Sequence, residues 1–423
     1  MWSAPFFLAF SDYPFTPEAL RHLRIALSSR RHTTREVLLG CLLVVCFEGF
    51  VGNYYAAMKH AQHGITIFLS WMDKEIGYRH YTKPIDNFSS PNPHDLEDDL
   101  VDAMRRLDVQ IVSFFDPRPA GFHKYASTMG SNVLKAMPDT FTSIREARHH
   151  WEFIELRVYH FLAYVLSPGS RKGLKILDPT MDSVEDAHAP IGVKLFAQNA
   201  TPLMRHTAER DKFLAEIALW ERSYAPLAPI KTSLPFRAST ILLIHAKMNC
   251  ILLTGAFFES EMEYDALWPE FRTIFELCKS IWSLHITGEI GYHFDVGLLP
   301  SLFLVCTRCR DPHLRRQVVD LLSTAFHREN VWDSLSLASI GRWVLGKEEE
   351  GTSFEGKDLK TDWPSSTNRS METSPTVIPE EKRIRITQFH TNFRLRRAQL
   401  EYTQGVRSQD GLETYFEETV LNW

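Results

Sequence analysis

The feature that most limits what this chain can fold into is a three-and-four spacing of apolar residues over positions 37–68. Val37, Leu38, Cys41, Leu42, Val45 and Cys46 share one wide face, which requires a helix of 3.6 residues per turn rather than a strand. Gly49, Gly52 and Asn53 interrupt the pattern, and Tyr54, Ala57, Met58, Ala61, Ile65 and Phe68 resume it. Two amphipathic helices joined by so short a break fold back on one another as an αα-hairpin, with Ala57 and Ala61 small where the helices must approach.

The same periodicity recurs down the chain. Leu100, Met104, Leu107 and Ile111 mark a helix whose first turn holds Glu97, Asp98 and Asp99, acids that complement the positive end of the helix dipole. Asn92 or Asp95 is placed to cap it, and the DPRP run at 116–119 forbids its continuation. Further helices are expected over 143–166, 208–224, 237–254, 264–284, 297–306, 312–325 and 332–345. The early hairpin is similar to a tetratricopeptide pair, but no second copy follows at a fixed spacing, so no repeat array is inferred.

Past Gly346 the character changes. Residues 347–379 are rich in Ser, Thr, Glu and Gly and read as a flexible linker or loop. Beyond them RIRI at 383–386 and FRLR at 393–396 alternate with period two, giving two short strands with Ile384, Ile386, Phe393 and Leu395 inward. Residues 415–421 are a candidate third strand. The expected architecture is therefore mostly α: a multi-helix array or bundle over 1–346, the linker, and a short β element at 380–423 packed on the helices.

Hydrophobic residues at 44% and aromatic residues at 12% supply ample material for a large core. A net charge of −5 gives no global positive field to hold nucleic acid. The start, MWSAPFFLAF, has no basic segment before its apolar stretch, so a signal peptide is not expected. The longest apolar run, 37–47, falls short of the roughly 20 residues a membrane span needs, so no membrane partner is expected either.

No residue stands out as catalytic, cofactor-binding or metal-binding. Cys306 and Cys309 are the one C-x-x-C pair, without a second thiol pair or paired histidines nearby to complete a zinc site. His60 and His63 share a helix face, and His149, His150 and Glu152 lie close in sequence, but no H-E-x-x-H occurs. There is no G-x-S-x-G, P-loop or G-x-G-x-x-G. Asp98 and Asp99 are accounted for by the helix start. The basic cluster Lys382, Arg383, Arg385, Arg394, Arg396 and Arg397 falls mainly on the outward face of the expected hairpin, where solvation explains it better than phosphate binding. No enzymatic activity and no cofactor are expected.

Taken in order, several blocks resemble the helical regulatory region of fungal zinc-cluster (Zn2Cys6) transcription factors, in particular the subgroup linked to secondary-metabolite gene clusters. They are VLLGCLLVVCFE at 37–48 with GNYYAAMKH at 52–60, EDDLVDAMRRLD at 97–108 with FFDPRP at 114–119, CTRCRDP at 306–312 with LRR at 314–316 and RENVWD at 328–333, and IPEEKRIR at 378–385. The resemblance implies transcription regulation in the nucleus, through protein partners of the transcription machinery or a small-molecule effector. That family reads DNA with a C-x2-C-x6-C thiolate cluster. The six cysteines here, at 41, 46, 250, 278, 306 and 309, do not follow that pattern, so no zinc ligand is carried over and direct DNA contact by the family's route is not expected. The alternative reading is a helical protein-interaction scaffold with no direct part in transcription.

Overall fold

Thr33 starts the first helix because its hydroxyl accepts the amide of Glu36 while the Glu36 carboxylate takes the amide of Thr33, satisfying two donors that a helix start leaves free. In the computed structural model, which describes residues 32–76, 89–114, 116, 118–166, 204–227, 236–285, 291–352, 378–392, 395–408 and 411–423, this helix is α1 (Thr34–Val51). Gly52 ends it with φ of 81°, a left-handed conformation that glycine adopts without a Cβ clash. The chain then turns back as α2 (Tyr54–Ile76). Ala57 and Ala61 are buried at the seam, as expected, and Gly64 approaches more closely still: a Cβ there would lie 2.4 Å from Cys41 Sγ.

Next comes α3 (Asp98–Phe114), with Leu100, Met104, Leu107 and Ile111 buried. Asp95, one expected cap, instead accepts the Trp71 indole N–H at 2.6 Å and ties this corner to α2. Two short helices follow, α4 (Ala120–Ala126) and α5 (Ser131–Lys135), each too brief to show an apolar period. α6 (Ile144–Val165) and α8 (Phe236–Gly255) pack together, with α7 (Thr207–Tyr224) against both. By length and composition α8 would suit a membrane span, but 67% of that apolar window is buried inside the protein.

A 3₁₀ turn (Glu261–Leu267) leads into α9 (Trp268–His285). α10 (Leu299–Arg308), α11 (Pro312–Ser323) and α12 (Ser334–Glu349) complete the helical layers. Between them lies a small sheet that the periodicities did not reveal: β1 (Tyr292–His293) parallel to β2 (Arg328–Glu329), and β2 antiparallel to β3 (Trp332–Asp333). The helix expected from 332 accordingly starts at Ser334. Asn330 turns the β2–β3 hairpin with φ of 50°, a region asparagine tolerates.

Helix α12 runs three residues past Gly346, so 347–349 are helical rather than linker, and Glu348 and Glu349 are buried. Residues 353–377 of the expected linker, like residues 1–31, lie outside the described residues. The C-terminal strands are longer than expected and number three: β4 (Ile384–Asn392), β5 (Arg397–Ser408) and β6 (Gly411–Asn422), in antiparallel order β4-β5-β6. Ile384 and Ile386 face inward as expected; an irregularity between Ile386 and Gln388 then shifts the inward register to Phe389. The expected strand at 393–396 does not form across Leu395 and Arg396. These sit in the β4–β5 turn with Leu395 66% exposed, while Phe393 and Arg394 lie outside the described residues. The sheet packs on the helices through Phe389, 5.1 Å from the Phe303 ring, and Tyr402, 4.8 Å from Trp343. The fold is mostly α, with its antiparallel sheet at the C-terminal end.

A buried ion network joins that sheet to the helices. Glu348 takes Arg310 at 3.0 Å, Arg315 at 2.5 Å and the backbone N–H of Ile384 at 2.8 Å. Glu261 takes Arg308 at 2.6 Å and Arg385 at 2.9 Å, and Arg383 reaches Asp265. The outward-face reading of the basic cluster is therefore corrected for Arg383, which is buried and also donates to the Ile378 and Glu261 carbonyls, and for Arg385, which serves the buried Glu261. Arg396 and Arg397 are exposed, and Arg394 is outside the described residues.

Candidate functional site

Helices α3, α6 and α8 diverge where α3 and α6 turn polar residues toward each other, and the segment 293–300 forms the remaining wall. The result is a cleft of about 900 Å³. Val109, Ile241, Leu242, Met248, Val296 and Pro300 supply apolar lining, and Asp102, Arg106, Arg148, Glu152, Glu155 and His245 supply charge. Charged and polar side chains make up more than half of the lining, so a ligand held here would be a polar one that meets oriented charges beside a smaller apolar wall.

The charges are paired across elements. Arg106 of α3 reaches Glu152 of α6 at 3.4 Å and Asp295 of the wall at 3.1 Å, and Arg148 takes Glu152 at 2.8 Å. Burial raises the Glu152 carboxyl above the usual range despite the two guanidiniums. Burial acts the same way on Asp102, but hydrogen bonding from His149 and the charge of Arg105 outweigh it and hold that group low. On the floor, His245 Nδ1 faces Glu155 Oε1 at 3.3 Å and Nε2 faces the Gly297 carbonyl at 2.9 Å. Two acceptors around one imidazole favour the doubly protonated ring, and they raise the His245 pKa although burial opposes this.

The wall is held from behind by Glu329, which is 0% exposed. Its carboxylate accepts the amides of Gly297, Leu298 and Leu299 at 2.8, 2.8 and 2.9 Å, at the start of α10 where a helix leaves such donors free. Gln110 of α3 bonds the Phe294 carbonyl at 3.2 Å and also Asn330, and Arg328 reaches the Phe50 carbonyl of α1 at 3.1 Å. Cleft wall, small sheet and N-terminal hairpin are thus one hydrogen-bonded unit.

The groups singled out from sequence are dispersed by the fold. His149 and Glu152 both line the cleft, whereas His150 is buried with Nδ1 3.0 Å from the Glu146 carbonyl and its ring against Phe141. On α2, His60 is half-buried and His63 exposed. Cys306 and Cys309 are buried, Cys306 Sγ donating to the Phe303 carbonyl at 3.3 Å. Burial pushes their thiols up to about 12, and those of Cys41 and Cys46 to about 11. Cys250 is pushed to about 12 and Cys278 well above its ordinary value, so all six cysteines are held as weakly nucleophilic thiols. Sequence reasoning missed Glu155, His245 and Glu329, whose partners lie far away along the chain.

One segment of 39 residues is 44% identical to part of the aspercryptin biosynthesis cluster-specific transcription regulator of Emericella nidulans. The match takes in 9% of this chain and 6% of that regulator, so the chain spans a small part of the relative's length. No protein-family profile and no solved structure matches the chain.

Proposed function

We propose that this chain is the regulatory body of a transcription regulator of the fungal zinc-cluster kind, controlling a secondary-metabolite gene set from the nucleus. The observation that carries the reading is the 39-residue segment similar to a regulator of one biosynthesis cluster, supported by the ordered blocks of resemblance along the chain. In this reading the chain does no chemistry and contacts DNA only through a partner or an attached reader. The cleft among α3, α6 and α8 holds a small-molecule effector, and the bonded path from its wall to Phe50 passes the effect to the N-terminal hairpin. The test is transcript sequencing in the source organism with the gene deleted and restored. Coordinated, reversible change in one contiguous block of biosynthetic genes supports the reading, and an unchanged transcriptome refutes it.

A second reading, a helical scaffold, draws on Leu43, Phe47 and Ile67, apolar residues exposed on the α1–α2 hairpin at 69%, 38% and 37%. It predicts that proteins captured by the tagged chain are all cytoplasmic.

A further inference from the structure

Away from the cleft, His123 of α4 and His160 of α6 meet with their Nδ1 atoms 2.9 Å apart. Asp116, which lies between α3 and α4 in the chain, places Oδ2 3.9 Å from His123 Nε2. One ligand atom from each of the three residues lies within 4.8 Å of the other two. The side chains are no more than 3% exposed.

Two features of this cluster call for a cation. His160 Nε2 is turned to Asp108 Oδ2 at 3.6 Å, which leaves Nδ1 as the ring atom pointing into the cluster, 2.9 Å from His123 Nδ1. The two buried carboxylates, Asp108 and Asp116, share a single guanidinium, that of Arg118. With both imidazoles neutral, two negative charges face one positive charge, and uncompensated buried charge is costly.

We propose that Asp116, His123 and His160 form a binding site for a divalent transition cation of the zinc type. Two imidazole nitrogens and one carboxylate oxygen make a three-ligand set of the kind zinc accepts. Ligand atoms about 2.0–2.2 Å from such an ion end roughly 3.3–3.5 Å apart, so side-chain rotation must open the imidazole pair slightly from 2.9 Å and bring the carboxylate in. The outer groups are already placed. Asp108 stands behind His160 Nε2, the arrangement that turns the other ring nitrogen toward a metal. Arg118 Nε donates to both oxygens of Asp116 at 2.8 Å and its backbone N–H to one at 2.9 Å, fixing the carboxylate. Bound there, the ion ties Asp116 and α4 to α6.

The experiment is titration of chelator-stripped full-length chain with Co²⁺, read by visible ligand-field absorption, followed by back-titration with Zn²⁺. The expected result is one equivalent per chain, displaced by zinc, with affinity lowered at least about tenfold in His160→Ala and Asp116→Asn and unchanged in His63→Ala. No absorption with the natural chain overturns the site, since a proton shared by the imidazoles then supplies the missing charge. Absorption that persists in both variants also overturns it. Should the variants fail to fold, cobalt absorption by the natural chain without imidazole ligation in its X-ray absorption spectrum is equally fatal.

Discussion

Glu329 and His245 hold opposite sides of one residue: the Gly297 N–H donates to Glu329 at 2.8 Å, and the Gly297 carbonyl accepts from His245 at 2.9 Å. The clamp fixes the cleft wall between a buried carboxylate on β2 and an imidazole on α8.

Glu329→Gln replaces one acceptor oxygen by an amide that faces backbone donors. It should cost about 2–4 kcal/mol, because buried amides lose a charged acceptor. Urea denaturation of the variant against the natural chain measures this, and a midpoint within error of the natural one would remove the clamp from the account.

His245 sets a pH dependence of definite sign. Its folded pKa is raised by Glu155 and the Gly297 carbonyl against the pull of burial, so the stability it contributes is complete below the unfolded value of about 6.5 and is lost as pH rises through the higher folded value. The natural chain should therefore lose stability relative to His245→Gln on going from below about 6.5 to well above it. Parallel unfolding curves for the two chains at every pH would contradict the assignment.

Glu348 anchors the C-terminal sheet. Glu348→Ala leaves Arg310 and Arg315 buried without that partner and frees the Ile384 amide, so a loss of about 3–5 kcal/mol is expected. Hydrogen exchange should show β4 and β5 protected less than α6 and α8. Uniform loss across the chain would mean that the network does not single out the sheet.

Gly64→Val forces a side chain into the space of Cys41 Sγ, 2.4 Å from where the Cβ would stand. Overpacking of this kind costs about 1–3 kcal/mol, read as a lowered melting temperature that Cys41→Gly should partly restore.

The helices were legible because their apolar faces repeat locally: α1, α2, α3 and α6 are written in residues three and four apart. What the sequence hid depends on distant partners. The run KEEE at 347–350 has the composition of a solvated linker, yet Glu348 and Glu349 are buried because Arg310, Arg315 and Arg316 wait more than thirty residues upstream. Glu329 likewise looks like an ordinary loop acid until the start of α10 is brought against it. Arg383 and Arg385 alternate with isoleucine as outward strand residues do, but one outer position is covered by the Glu261–Leu267 turn. The cleft is hidden for the same reason, since α3, α6 and α8 contribute its charges from three separate stretches.

The most direct test of the regulatory reading is to tether the full chain to an unrelated DNA-binding domain upstream of a reporter. Predicted is a change in reporter transcription that Glu329→Gln diminishes at equal protein level, since that substitution loosens the cleft wall. A tethered chain that is folded, present in the nucleus and without effect on the reporter would contradict the account.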